Sequence, residues 1–206
     1  MSEQSIDGAV LAGGRSRRMG GEAKALLTLD GRAMLDHVLE RFRPQVGRVV
    51  LSVERPSPDW APFGLEQVGD PEPGDRGPLA GLFAALDAVA DPAGWLALVP
   101  CDAPFLPLDL VPRLAARAGA ADAVVVRLDG VPQPTFSLWS GRLLERLRHA
   151  VLEARIGGFR QFLDGIDWTP LDWPSAERTA FFNVNDPDTL AAARRRLAGR
   201  KEAKPC

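Results

Sequence analysis

The chain has 206 residues, of which 46% are hydrophobic and 25% charged, and its formal net charge is −2. These values are ordinary for a soluble globular protein, and the balanced charge gives no support to general binding of nucleic acid. The polar residues 1–7 lack a signal-peptide core, no apolar run is long enough for a membrane span, and two cysteines offer no disulfide framework or metal spacing, so we expect a cytoplasmic protein without a membrane partner.

Apolar runs typical of strands alternate with helical stripes along the chain. This alternation predicts a single α/β domain with a mostly parallel, Rossmann-like sheet flanked by helices. We expect the domain to span 1–198, followed by a solvated tail at 199–206. Strands are predicted near 6–11, 48–53, 65–68, 95–99, 123–127, 133–139, 166–171 and 180–182, and helices near 35–42, 79–86, 108–118, 141–153, 157–164 and from 187 onward.

The first predicted strand ends in a loop rich in glycine and arginine, and residues 11–24 read LAGGRSRRMGGEAK. The adjacent Gly13 and Gly14 let backbone N–H groups approach anionic oxygens, and cations such as Arg18 and Lys24 would neutralise the charge. The loop lacks both the Gly-x-Gly-x-x-Gly pattern of dinucleotide-binding domains and the Gly-Lys-Ser/Thr ending of a Walker loop. It therefore predicts a triphosphate-binding loop of another kind.

Three features follow directly after predicted strands: the glycine loop, Asp70 and Asp102. Ligands of open α/β sheets bind beyond the carboxyl ends of the strands, so we expect these features to form one site. Asp102 stands between two prolines, and a single carboxylate of this kind suits Mg²⁺, which keeps several waters and bridges substrate phosphates. The alternative interpretation of Asp102 is a turn or helix-capping aspartate.

Five short motifs occur in order between residue 8 and about residue 197. They are Leu11–Gly14 with Arg18-Met19-Gly20 and Lys24, then Gly77–Leu82, Pro100–Pro104, Gln133–Thr135 and Asn183–Asn185. Through these motifs the chain resembles the molybdenum cofactor guanylyltransferase family. The resemblance implies a fold of the nucleotide-diphospho-sugar transferase type. It also implies transfer of GMP from GTP to molybdenum-molybdopterin, with release of pyrophosphate.

The resemblance further implies which residues carry this reaction. Arg18, Lys24 and Asp102 would be catalytic, and Asp102 would hold Mg²⁺. GTP would be bound by Leu11, Ala12, Gly13, Gly14, Lys24, Ser52, Asp70 and Asp102. The molybdopterin or metal end of the cleft would be formed by Gly77, Pro78, Asn183 and Asn185. Proteins of molybdenum cofactor biosynthesis or insertion would be further partners.

The chain departs from the family pattern at two positions, and other functions stay open. Ser52 stands where the family often has Asn, and Ala23 stands before the loop lysine, where it often has Asp. Gly13 favours GTP, since relatives that use cytosine nucleotides carry Ala there. The alternatives are a cytidylyltransferase, another small-molecule nucleotidyltransferase, or a non-catalytic nucleotide-binding module.

Overall fold

The computed structural model describes residues 6–13, 23–71, 77–89 and 91–202, and it contains one seven-stranded sheet and a small hairpin. The main sheet has the order β5-β4-β1-β6-β8-β7-β9. Its strands are β1 (Ile6–Leu11), β4 (Val49–Val53), β5 (Glu66–Gly69), β6 (Trp95–Pro100), β7 (Ala123–Leu128), β8 (Val131–Ser140) and β9 (Trp168–Trp173). The hairpin pairs β2 (Thr28–Leu29) with β3 (Arg32–Ala33).

Parallel pairing joins β5, β4, β1 and β6, and β8 runs antiparallel to both of its neighbours. Val10 in the centre of the sheet pairs with Leu51 on one side and Val99 on the other. The helices are α1 (Met34–Phe42), α2 (Pro78–Val89), α3 (Leu110–Ala115), α4 (Leu144–Arg148), α5 (Phe159–Leu163) and α6 (Pro187–Glu202). The predicted fold class, a mostly parallel sheet flanked by helices, is confirmed.

Alternation along the strands divides the core between the two faces of the sheet. Val10 and Leu51 face the side of α1 and α3, whereas Ala9 and Val50 face the side of α2, α4 and α5. A third, smaller cluster joins the hairpin and α6 to the loop after β6 through buried residues Leu29, Met34, Phe105, Val184 and Ala193. Every described helix is too short or too polar to span a membrane.

Some local predictions were wrong. The apolar residues at 180–182 do not form a strand. Ala180 and Phe181 end a 3₁₀ segment, Ser175–Phe181, that buries the ring of Phe181 against Phe136 and Trp173, and Phe182 follows the segment. The predicted helix at 141–153 is a 3₁₀ turn, α4 and a π-helical turn in succession. The helix predicted at 108–118 is confined to α3.

The hairpin β2–β3 was missed, although its turn, Asp30-Gly31, is a standard hairpin signal with positive φ at both residues. The same signal at Asp129-Gly130 was recognised, and it joins β7 to β8 as predicted. Helix α6 continues beyond residue 198 to Glu202, and the boundary of the tail stays a prediction.

Candidate functional site

The loops that follow β1, β4 and β6 are joined at the carboxyl edge of the sheet. The backbone N–H of Ala12 donates to the carbonyl of Ser52 at 2.7 Å, and that of Cys101 donates to the carbonyl of Leu11 at 3.0 Å. A Cβ on Gly13 would lie 3.1 Å from the backbone nitrogen of Glu54, so a larger residue at position 13 would crowd the end of β4. The first residues of the glycine loop are therefore held in a defined place.

Lys24 meets two residues that lie far from it in the chain. Its Nζ donates to Oδ2 of Asp102 at 3.1 Å and to Oδ1 of Asn185 at 2.5 Å. Lys24 begins a short 3₁₀ turn that is anchored by the buried Ala25, and this turn fixes where the long side chain starts. Three residues that the sequence marked as candidates are thus brought together around one ammonium group.

Asp102 lies in the turn that follows β6, and its side chain is only 13% exposed. Burial raises the pKa of this carboxyl, and the neighbouring Lys24 ammonium acts in the opposite direction. The carbonyl of Asp102 accepts from the N–H of Val184 at 2.9 Å, which joins the turn to the asparagine segment before α6. A poorly hydrated carboxylate at this place is stabilised by a cation, either the lysine or a metal ion.

The asparagine segment is fixed by the cap of α6. Thr189 Oγ1 accepts from the backbone N–H of Asn185 at 2.9 Å, and Asp186 Oδ1 accepts from the N–H of Thr189 at 2.8 Å. The Oδ1 atom of Asn183 is buried and has no hydrogen-bond partner among the described residues. Such an atom is costly unless a ligand completes its hydrogen bonding or coordination.

Asp102 and Asn185 bring one carboxylate oxygen and one carboxamide oxygen to Lys24, and the unpartnered carboxamide oxygen of Asn183 lies two residues before Asn185 in the chain. Oxygen ligands with few carboxylates suit Mg²⁺ that also binds substrate phosphates. Over the described ranges, no group of three or more His, Cys, Asp or Glu side chains is arranged to hold a metal. The described residues therefore offer no site for a metal that is held mainly by protein carboxylates or imidazoles.

The third hydrophobic cluster lies beneath Lys24, Asp102 and Asn185. It connects the three segments of the chain that carry these residues. Leu29 belongs to the hairpin that follows Lys24, Phe105 to the loop that follows Asp102, and Val184 to the asparagine segment. His37 of α1 adds a polar link, since its Nε2 lies 2.7 Å from the carbonyl oxygen of Leu29. The position of Lys24 relative to Asp102 therefore depends on packing at this cluster.

Asp70 follows β5 and lies apart from the lysine group along the same edge. Three strand spacings, about 14 Å, separate β5 from β6, which is the scale of an extended nucleotide. Burial, with a smaller contribution from the negative charge of Glu54, raises the pKa of Asp70 to about 6. Glu54 was missed at the sequence level, although its place one residue after β4 could have drawn attention to it.

Ser52 is 2% exposed and lies under helix α2. A Cβ on Gly81 of α2 would lie 2.6 Å from its Oγ and 2.9 Å from Cδ2 of Leu11. The close approach of α2 to β1 and β4 therefore requires small residues at both positions. The assignment of Ser52 to nucleotide binding stays a prediction, and its backbone carbonyl supports the glycine loop through Ala12.

Gly77 precedes α2 with φ +76°, a left-handed conformation that favours glycine. A side chain at this position would overlap the carbonyl oxygen of Gly157, which also accepts from the N–H of Leu79 at 3.2 Å. The exposed Pro78 opens α2 at this contact. The carboxyl edge here is closed by backbone packing between two loops.

Gly14 and Arg18 lie outside the described residues, so their predicted roles stay predictions.

Comparison with known proteins places these features in a family. A profile of the MobA-like NTP transferase domain matches residues 8–169. A molybdenum cofactor guanylyltransferase of Bradyrhizobium is 40% identical over 199 residues, which is 94% of this chain and 94% of that protein. One from Shewanella baltica is 40% identical over 192 residues, covering 91% of this chain and 94% of that protein.

Solved structures show the same fold. The molybdopterin-guanine dinucleotide biosynthesis protein A of Archaeoglobus fulgidus superposes with a TM-score of 0.77 at 24% identity, covering 94% of this chain and 99% of that one. A nucleotidyl transferase of Methanothermobacter thermautotroptrophicus superposes with a TM-score of 0.67 at 17% identity, covering 95% and 99%. At these identities the likeness shows the fold alone.

Proposed function

Since the chain belongs to the family of MobA-like NTP transferases, it is a nucleotidyltransferase, and we propose that it forms the guanine dinucleotide of the molybdenum cofactor. A phosphate oxygen of molybdenum-molybdopterin attacks the α-phosphorus of GTP. The bond from that phosphorus to the bridging oxygen of the β-phosphate breaks, and pyrophosphate leaves. The observation that carries this proposal is the meeting of Lys24, Asp102 and Asn185 at the carboxyl edge of the sheet. We place the reaction in the cytoplasm.

The attacking phosphate needs no general base, because a phosphomonoester is largely ionised near pH 7. Phosphoryl-type transfer then depends on positioning and on neutralising charge. The ammonium of Lys24 supplies one positive charge beside Asp102, and we assign Arg18 the same task. His37 Nε2 donates to the backbone carbonyl of Leu29, and His149 pairs with Glu153 outside this group, so neither is needed as a base.

Mg²⁺ fits the oxygen donors of this site. Asp102 and the carboxamide oxygens of Asn183 and Asn185 would hold it, and the buried, unpartnered Oδ1 of Asn183 is the atom that gains most from a cation. When bound, the ion supplies charge neutralisation for the triphosphate and pyrophosphate. The contact with Lys24 favours the ionised form of Asp102 that this requires.

Guanine would lie at the Asp70 end of the edge. Guanine presents N–H donors at N1 and N2, and an ionised carboxylate can accept both. The backbone of Leu11, Ala12 and Gly13 would bind the nucleotide between this end and Asp102, with Gly14 and Lys24 continuing along the phosphates. Gly77 and Pro78 would border the molybdopterin side.

The first experiment is a thermal-shift titration with GTP, CTP, ATP and UTP in the presence of Mg²⁺. A ligand that binds only the folded protein raises its stability by about 2.7 kcal/mol at a hundredfold excess over Kd. We expect GTP to be the strongest stabiliser. A preference for CTP would contradict guanine selection while leaving the chemistry in place, and no response to any nucleotide would favour a non-catalytic module.

The catalytic assignment is tested by pyrophosphate release with molybdenum-molybdopterin, GTP and saturating Mg²⁺. We expect Asp102→Ala to lower kcat at least a hundredfold, in the range lost when a charge-stabilising group is removed. The control is Asp167→Ala, which removes an exposed carboxyl that precedes β9 at the opposite edge. Wild-type turnover of the Asp102 variant would remove Asp102 from the mechanism.

A further inference from the structure

Strand β8 carries a wide irregularity next to the candidate site. In its register with β7, Val125 pairs with Ser137 and the next residue, Val126, pairs with Gln133. Pro134, Thr135 and Phe136 are therefore without a partner on β7. Bulges of this kind re-aim side chains and are frequent beside active sites, and a proline without an N–H is compatible with one.

The bulge is held in place from below by two successive buried hydrogen bonds. The indole Nε1 of Trp139 donates to Ser137 Oγ at 2.6 Å, and that hydroxyl donates to the carbonyl of Pro134 at 2.6 Å. Ser137 and Trp139 are both fully buried. Because a buried hydrogen-bonded chain is costly to break, the bulge has one preferred shape.

The bulge lies beside Asp102 on the side away from the glycine loop. Strand β8 runs antiparallel to β6, and their pairing extends to Leu98 and Ser137. The same register places residues 135–136 level with the last two residues of β6, at its carboxyl end. Strand β1, which leads into the glycine loop, is the neighbour of β6 on its other side. Asp102 is thus flanked by the start of the glycine loop, at residues 12–13, and by the bulge.

In-line displacement places the attacking and leaving groups on opposite sides of the phosphorus. With the triphosphate held by the glycine loop, the acceptor substrate approaches from the side of β8. This step rests on the proposed function, because it takes the acceptor to be a molybdopterin.

The side chains of the bulge have the chemistry to bind an uncharged heterocycle. Phe136 turns into the core, with its ring centroid 4.9 Å from that of Phe181. Strand β8 keeps its alternation on this side, since Phe136 and Leu138 belong to one core and Trp139 to the other, so Thr135 lies on the face opposite Phe136. Thr135 is half-buried, and its hydroxyl makes no hydrogen bond to any residue in the described ranges. The Nε2 of Gln133 donates to the carbonyl of Val131 at 3.2 Å.

We propose that Thr135 is a specificity-determining residue for the acceptor, and that its hydroxyl hydrogen-bonds the amide and amine edge of the pterin ring. A hydroxyl both donates and accepts, which matches an edge that carries N–H donors and a carbonyl acceptor. The buried hydrogen bonds that link Trp139, Ser137 and Pro134 fix the position of this hydroxyl.

The test is steady-state kinetics with the acceptor varied at saturating GTP and Mg²⁺, together with calorimetric binding of GTP. We expect Thr135→Val to raise the acceptor KM about fivefold, the range for loss of one uncharged hydrogen bond, with kcat and GTP affinity unchanged. Thr135→Ser, which keeps the hydroxyl, should retain the wild-type KM. The matched control is Thr169→Val, a half-buried threonine on β9 that pairs with Val124, and it should behave as wild type.

An unchanged acceptor KM for Thr135→Val would overturn the inference, and so would equal impairment of the Val and Ser variants, which would indicate a packing role. A rise in the Kd for GTP would place Thr135 in the nucleotide site and overturn it as well. In these cases the wild-type enzyme still transfers GMP to molybdopterin. Failure of wild type to do so would instead contradict the proposed function, and the inference would fall with it.

Discussion

The meeting of Lys24 with Asp102 and Asn185 has a simple electrostatic reason. A carboxylate that is 13% exposed has lost most of its hydration, and the nearby ammonium offsets that loss. The low hydration of Asp102 beside an ammonium group also makes this position suitable for a substrate that carries several negative charges, together with its metal ion. The residues that stabilise the free protein here are therefore those that we assign to the reaction.

Asp70 predicts a pH dependence of stability. Its pKa of about 6 in the folded protein lies above the ordinary 3.8, so the folded state binds its proton more tightly than the unfolded state. Asp70 therefore favours folding at low pH, and this contribution is lost as pH rises from about 4 through 6. We expect Asp70→Asn to have a higher Tm than wild type at pH 7.5, and the difference to shrink by pH 4.5.

The control for Asp70→Asn is Asp167→Asn, at the amino edge of the sheet. Thermal unfolding of both variants across this pH range gives the measurement. A Tm difference for Asp70→Asn that stays constant with pH would show that Asp70 has no raised pKa.

Gly77 and Gly130 both have a left-handed backbone, but they differ in the space available for a side chain. Both have positive φ, but a Cβ on Gly77 overlaps the Gly157 carbonyl, whereas a Cβ on Gly130 meets nothing within 4 Å. We expect Gly130→Ala to cost about 1–2 kcal/mol for its left-handed backbone. Gly77→Ala should cost at least about 1 kcal/mol more, because overpacking adds to the same backbone term.

Urea denaturation of the two alanine variants measures this difference. Equal losses would mean that the loop at 157 yields to the added methyl group.

At the scale of elements, helix α2 and the sheet are matched through two small residues. A Cβ on Gly81 would come within 2.6 Å of Ser52 Oγ, but 3.8 Å from Ser52 Cβ. We expect Gly81→Ala to destabilise the protein by about 1–2 kcal/mol, since crowding exceeds the gain in helix propensity. The loss should be smaller in a Ser52→Ala background, with a coupling of at least about 0.5 kcal/mol.

A double-mutant cycle by urea denaturation tests this match. The control is Gly199→Ala in α6, where a Cβ meets nothing within 4 Å and only helix propensity changes. Strict additivity of Gly81→Ala and Ser52→Ala would contradict the proposed contact and leave Leu11 as the limiting neighbour.

At the scale of the whole molecule, the two main cores lie on opposite faces of one sheet and cannot unfold separately without exposing the other. We expect a single cooperative transition. Trp139 reports on the α2 face and Trp173 on the α1 face, so tryptophan fluorescence and far-UV circular dichroism of the same protein should give the same urea midpoint. GTP with Mg²⁺ should move both midpoints together, and separate midpoints would indicate two folding units.

The seven strands of the main sheet, the six described helices and the position of Asp102 after β6 could all be predicted from the sequence. Each is a local property, because the periodicity of apolar residues records which side of an element is buried. The strand prediction at 180–182 was wrong because a short apolar run does not reveal whether its residues form a strand or a 3₁₀ turn.

The sequence alone determined the fold class and the edge of the sheet at which the candidate residues Asp70 and Asp102 lie. Only the tertiary structure decided that Lys24 reaches Asp102 and Asn185, 78 and 161 positions away in the chain. It also decided that Asp70 shares its surroundings with Glu54, and that β8 bulges beside the site. These contacts depend on how separate elements pack, and local sequence patterns do not record distances between residues far apart in the chain.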